Sequence, residues 1–293
     1  MTPMILRALS TILGIVVTVS VAPAVHAQSK NAKPNRIDVR YVAPKSAEHQ
    51  QLFDLIKERR ALERIQELLK PIRLPRRLLI KTEGCDGESN AWYDGEAVTI
   101  CYEYLDDIWK NAATETTPNG IAPIDTLIGP FFDVALHEVG HAVFDILKVP
   151  LFGREEDAAD QFSTFIMLRF NKGEARRLIL GNAYQYKADM QSPVVSMALK
   201  KFADEHGTPS QRFYNVLCMA YGADKELFAD FVKNKFLPSD RAEGCEEEYA
   251  QVAHAFKKLI LPSVDVPLLR EARRKRWLAP ADATVKRRPR PQP

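Results

Sequence analysis

The stretch Val134–Leu147, VALHEVGHAVFDIL, constrains this chain more than any other. Its apolar members Val134, Ala135, Val139, Val143 and Ile146 call for a buried helix of low local dielectric, and Gly140 and Ala142 leave room for close packing. Yet the same stretch carries His137, Glu138 and His141. Residues four apart on a helix point the same way, so the two imidazoles can present nitrogens to one point in space. Glu138 sits one step round, beside that point rather than on it. The competing reading is three polar residues satisfied within a core, but an unpaired carboxylate there would be costly if it did nothing. Two histidines holding a metal, with a glutamate placed to take a proton from water, accounts for all three.

A catalytic metal of this kind needs a third protein ligand. Pro150 stops the helix, Gly153 turns the chain, and GREEDAADQF opens the next helix with Glu155, Glu156, Asp157 and Asp160. Glu156 and Asp160 share a face. One of them can bind the metal while the other accepts a hydrogen bond from the second nitrogen of a ligand histidine.

The N-terminus bears on compartment. Arg7 precedes an uncharged run from Ala8 to Val25, and Val25-His26-Ala27 sets small residues at the positions a signal peptidase reads. This predicts a signal peptide over 1–27, cleaved after Ala27, and a periplasmic or secreted protein. The alternative is an uncleaved membrane anchor, against which stand Pro23 and the small-residue exit. Export makes Cys85, Cys101, Cys218 and Cys245 disulfide partners, since none sits in a C-x-x-C pair. Of the three connectivities, Cys85–Cys101 and Cys218–Cys245 close the short loops and are preferred. Residues 28–35 read as a flexible N-terminus, 36–262 as the body, and 263–293 as a basic Pro/Arg-rich tail, largely disordered. Residues 270–293 hold nine Lys/Arg against Glu271 and Asp282, which leaves a mildly acidic body. The tail could contact anionic envelope components; no specific nucleic-acid binding is expected.

Along the body, QLFDLIKERRALERIQELL places Leu52, Leu55, Ile56, Leu62, Ile65 and Leu69 at helical spacing, as one helix ended by Pro71. RLLIKTEGC and NAWYDGEAVTICYEYL read as two strands paired in a hairpin, entered through Asp94-Gly95 and stapled by Cys85–Cys101. Two cysteines so placed are not directly opposite, so the loop should be long or bulged. A helix then runs from Pro130 to about Lys148. Helical spacing continues to about Leu261, broken at Gly181, Pro193, Gly207-Thr208-Pro209, Gly222 and Pro238. The class is α+β: a short sheet, then a run of helices.

At this point the residues resemble the gluzincin metallopeptidases. There H-E-x-x-H and a later E-x-x-A-D helix supply the zinc ligands, and N-A-F leads into the edge strand that lines the substrate; here stand HEVGH, EDAAD and SNAW. The chain is also similar, from about residue 50 to 262, to a bacterial family of exported metallopeptidase-like proteins known as DUF4344. The stretches that carry this are GCDGESNAWYDGEAVTICYEYL, ALHEVGHAVFDIL, GREEDAADQF, QRFYNVLCMAYG and LPSDRAEGCEEEYA. The resemblance implies a zincin-like fold, with an edge strand packed on the active-site helix and a mostly helical C-terminal half, and one zinc.

With zinc on His137, His141 and a carboxylate, the pKa of a water falls from 15.7 towards about 7, and Glu138 serves as general base for peptide hydrolysis. Glu156 is the chosen third ligand, since its longer side chain reaches from the first turn, while Asp160 one turn deeper suits an imidazole N–H; Glu155 and Asp157 point roughly 100° to either side. His206, Tyr214 and Tyr221 are candidates to stabilise an oxyanion, with His206 preferred. An edge strand around Val98–Tyr102 could capture an extended peptide. Two rivals remain. EGC at 83–85 upstream of H-E-x-x-H resembles peptide deformylase, with Cys85 as ligand, but the G-x-G-x-A-A-x-Q segment is missing. The other is a zinc-binding envelope scaffold or interaction protein without turnover, which would need the ligands but not Glu138.

Overall fold

The computed structural model of the chain describes residues 36–191 and 204–283. The signal peptide read over 1–27, the segment 28–35, the expected break at Pro193 and the end of the tail, 284–293, lie outside the described residues. In chain order the elements are β1 Ile37–Tyr41, α1 Gln50–Glu58, α2 Ala61–Leu69, β2 Leu78–Glu83, β3 Ala91–Tyr93, β4 Ala97–Cys101, α3 Tyr102–Asn111, α4 Asp125–Leu147, α5 Glu155–Met167 and α6 Lys172–Gln191. Then follow α7 Pro209–Ala223, the short α8 Ala229–Lys233 and α9 Ser239–Glu243, α10 Cys245–Leu259 and α11 Val266–Arg274. The class is α+β, a small mixed sheet with a mostly helical remainder.

The sheet runs β1-β2-β4-β3, with β1, β2 and β4 parallel and β3 antiparallel to β4. The expected hairpin therefore lies elsewhere. It forms within the second strand segment, between β3 and β4 around Asp94-Gly95-Glu96, with Gly95 at φ 94° and the Asp94 carboxylate accepting from the Glu96 and Ala97 N–H groups. β2 is parallel to β4 instead of antiparallel to it. The reason is burial: every residue of β4 is buried, so it takes an interior position, while the three half-buried residues of β3 tolerate the edge. Parallel pairing sets Glu83 beside Cys101, so Cys85, two residues further on, lies within a Cα–Cα distance of 5.6 Å of Cys101, to which it is bonded. Cys218 in α7 is bonded to Cys245 at the start of α10, both fully buried.

α4 packs on β3 and β4 and is covered on its other sides by α5 and α6. It starts five residues earlier than expected, at Asp125, and takes Pro130 into its second turn. Proline there removes one helical hydrogen bond. The first turn is held from outside, since Arg177 of α6 donates through Nε and Nη2 to the buried Asp125 carboxylate. Gly181, expected to break a helix, lies inside α6, where a Cβ would collide with the Asp125 carbonyl; Gly222 likewise lies inside α7, against the Cys245 carbonyl. These glycines permit close helix crossing rather than ending helices. Gly181→Ala should accordingly destabilise the protein by about 1–3 kcal/mol or more, because the obstacle is backbone that cannot swing aside. Urea unfolding of the variant checks this, and unchanged stability would show that α4 and α6 can separate freely.

Two further expectations change. The first helix is two, α1 and α2, broken at Arg60, which adopts φ 52°. The run Lys57-Glu58-Arg59-Arg60 offers no apolar side chain to pin that turn. The supposedly disordered tail also does not begin at 263. Ile72 and Val264 form a β-bridge, the Asp265 N–H donates to the Pro71 carbonyl at 2.7 Å, and Asp265 caps α11. Trp277 is buried, with its N–H and that of Leu278 both donating to Glu174 Oε1 at 2.8 Å. Arg64 and Arg177 donate to the carbonyls of Trp277 and Ala279. A short apolar stripe, Leu268, Leu269 and Ala272, was hidden by the basic composition around it. Among the described residues no helix is long and apolar enough to cross a membrane.

Candidate metal centre

α4 supplies the floor of the site. His137 is buried in its middle and His141 lies one turn on, with their Nε2 atoms 3.2 Å apart. After Lys148 ends the helix in the left-handed region and Gly153 turns the chain at φ 117°, α5 returns across α4. Gly140 meets Ala159 and Phe162 there, so the two helices approach closely. That approach brings Glu156 Oε2 to 3.0 Å from His137 Nε2 and 3.4 Å from His141 Nε2. From the segment preceding α7 comes His206, its Nε2 2.8 Å from the same oxygen and its ring stacked on His137 at 5.7 Å.

Each imidazole is held from behind by a carboxylate. His137 Nδ1 lies 2.8 Å from Asp160 Oδ1, His141 Nδ1 2.9 Å from Glu155 Oε1, and His206 Nδ1 3.4 Å from Asp204 Oδ1. Helical register turns Glu155 aside from Glu156, yet its side chain reaches His141. Asp157 pairs with Arg154 at the surface. Arg212 of α7 clamps Asp160, donating through Nε at 2.8 Å and Nη2 at 2.5 Å, and lies over the Tyr186 ring. One turn before His137, Asp133 is buried between Ser163 and Tyr186, whose hydroxyls both donate to it. One turn after His141, Asp145 accepts from Tyr93 at 2.7 Å and pairs with Arg76, tying edge strand β3 to α4. Asp133, His137, His141 and Asp145 thus form a stripe at spacing four along a largely apolar helix. That spacing is visible in the sequence and was the overlooked signal for Asp133 and Asp145. Arg212 and Asp204 had none, because their partners are remote or local to a loop.

These electrostatics test whether a cation fits. With the Nδ1 atoms bonded to carboxylates, the Nε2 lone pairs of three imidazoles converge on one Glu156 oxygen, an arrangement that is repulsive unless positive charge is shared among them. Burial disfavours the charged form of His137, but Asp160 and Glu156 outweigh it and raise its pKa to about 9. Burial likewise opposes ionisation of Glu156, yet His137, His141 and His206 hold it far below the usual carboxylate range. His137, Glu156 and His206 offer ligand atoms all within 4.8 Å of one another, and the nitrogen-and-carboxylate donor set suits a divalent transition metal. The residues fit a metal.

Glu138 is buried beside this cluster, and no hydrogen bond to its carboxylate occurs among the described residues; burial pushes its pKa up, with His137 and His141 pulling it back. Tyr214 is exposed against Phe213, and Tyr221 lies near Lys225; among the described residues neither hydrogen-bonds to the histidines. The edge strand packed on α4 is β3, not Val98–Tyr102. Val98 to Cys101 belong to interior β4, and Tyr102 opens α3. Asn90 and Asp94 bond to β4, so the alternation of an antiparallel pair turns the backbone groups of Ala91 and Tyr93 outward. Cys85, being disulfide-bonded, has no thiolate to offer, which removes the deformylase-like arrangement.

No curated protein and no solved structure matches the chain. A family model does, over residues 41–260, which take in β2, β3 and β4 of the sheet, the histidine helix, both disulfides and all the carboxylates around the centre. The chain belongs to that family, DUF4344, whose description is "Putative metallopeptidase".

Proposed function

We propose that the protein is an exported zinc peptidase of gluzincin type, holding one zinc ion on His137 Nε2, His141 Nε2 and Glu156. One observation carries the reading: imidazole nitrogens, each backed by a carboxylate, converge on Glu156 beside a buried and unpaired Glu138. The chemistry such an ion supplies is polarisation of a peptide carbonyl and a lowered pKa for water, from 15.7 towards about 7. The chain's own residues do the rest. Glu138 takes the proton that the attacking water gives up and delivers it to the leaving nitrogen. Its freedom from other hydrogen bonds leaves both oxygens available for this. His206, whose Nε2 lies 2.8 Å from Glu156 Oε2, would present an N–H to an oxyanion at the same point. Asp160 and Glu155 keep the two α4 imidazoles in one tautomer, and Arg212 keeps Asp160 ionised and aimed. The outward backbone groups of Tyr93 and the Ala91 carbonyl would bond an extended peptide as an added strand, the Ala91 N–H being already taken by Asn90 Oδ1.

Elemental analysis of the purified protein, followed by digestion of a peptide library with and without chelator, tests the reading. About one zinc per chain and chelator-sensitive cleavage are expected. Glu156→Ala should remove most of the zinc, whereas Asp160→Ala should weaken zinc binding by about 10–100-fold. A second arrangement draws support from the 2.8 Å approach of His206 to Glu156, namely His206 as a metal ligand. His206→Ala separates the two: retained zinc with slowed turnover fits the hydrogen-bonding role, and lost zinc fits ligation.

A further inference from the structure

Away from the metal centre, where α5 ends, α2, α10 and α11 enclose a cavity of about 300 Å³. Its walls are apolar, among them Leu68, Phe165, Ile166, Phe256, Leu261 and Leu269. Its rim is not. Arg169, Lys257, Arg273 and Lys275 all line it. Lys275 is the one with carboxylate partners, Glu67 at 3.5 Å and Glu271 at 3.8 Å. Among the described residues Arg169, Lys257 and Arg273 have no carboxylate partner. The Arg169 guanidinium lies instead over the Phe165 ring at 4.3 Å and the Tyr249 ring at 6.0 Å. Burial pushes Arg169 below its ordinary pKa, opposed by Tyr249, and Arg273 is close enough to add to the lowering as a like charge.

Like charges gathered at the mouth of an apolar cavity are unfavourable unless an anion joins them. We propose that the cavity binds the chain of a fatty-acid anion, with its carboxylate between Arg169, Arg273 and Lys257. The volume is at the lower end of the range for small-molecule pockets, about 300–1,000 Å³, which suits one chain rather than two. Charge also argues against the chain's own C-terminal end as occupant, since Lys286, Arg287, Arg288 and Arg290 would add to the repulsion. Guanidinium and ammonium groups recognise a carboxylate through charge-assisted hydrogen bonds, and the ring faces below them accept methylenes. This site is independent of the peptidase reading.

Calorimetric titration of the full chain with laurate, below its micelle concentration, tests the proposal. Saturable binding at one site is expected, with dodecyltrimethylammonium, of equal length and opposite charge, at least about tenfold weaker. The surface variant Arg169→Gln/Arg273→Gln should weaken laurate by about tenfold or more without loss of fold. Leu269→Trp should fill the cavity and abolish binding; if it misfolds, the charge variant decides alone. Absence of saturable laurate binding, equal binding of the cationic amphiphile, or an unchanged charge variant would each overturn the proposal. So would binding confined to phosphatidylglycerol vesicles, which would move the interaction from the cavity to the basic outer face of α11.

Discussion

Glu138→Gln is expected to lower peptide hydrolysis by about 10²–10⁴-fold while leaving zinc content at the wild-type level. The substitution keeps the shape of a side chain that is only 6% exposed, and it removes the one property the proposed chemistry needs, the capacity to take a proton. No hydrogen bond of the fold is lost, because none to this carboxylate occurs among the described residues. Replacing a buried acid by a neutral amide should leave stability unchanged or slightly higher, so low activity could not be blamed on unfolding. Metal content and single-turnover hydrolysis measured on one preparation give the answer. Loss of zinc together with activity would make Glu138 a ligand, and full activity would place the proton elsewhere.

The second large effect concerns the C-terminal segment beyond the family-matched region. Trp277→Ala should cost about 3–5 kcal/mol, the usual range for removing a buried large aromatic side chain. Trp277 packs edge-on against Phe170, and its indole N–H donates to the Ala272 carbonyl. Truncation after Pro262 should go further. It removes both N–H groups that satisfy Glu174 Oε1, the strand bridge at Ile72 and the acceptor carbonyls of Arg64 and Arg177. Glu174 is 7% exposed, and its carboxylate would be left with the Asn171 side-chain amide alone. Against a total stability of about 5–15 kcal/mol, such losses should leave the truncated chain unfolded or marginal. Circular dichroism and urea unfolding settle the point; a truncated chain of wild-type stability would mean that the segment rests on the body without holding it.

Where a feature depends on spacing along the chain, the sequence by itself determined it. The i, i+4 placement of His137 and His141, the acidic opening of α5, the helical character of the second half and the pairing of cysteines near one another in sequence are all local, set by helix geometry and short loop closure. Features that depend on what lies across a gap were decided by tertiary structure. β4 had to be buried on both faces, so β2 lies parallel to it and the short β3 takes the edge. Gly181 and Gly222 carry the signature of helix breakers, but backbones crossing over them made them helix interior. Glu155 was turned aside by its register, and only the approach of α5 to α4 at Gly140 brought it to His141. Arg212 and His206, some 50 residues or more beyond Glu156, met Asp160 and Glu156 through the packing of α7 against α5 and the segment leading into it. A side chain's neighbours four residues away are fixed by the helix that carries it, whereas its neighbours across an interface exist only once apolar burial has chosen which surfaces meet.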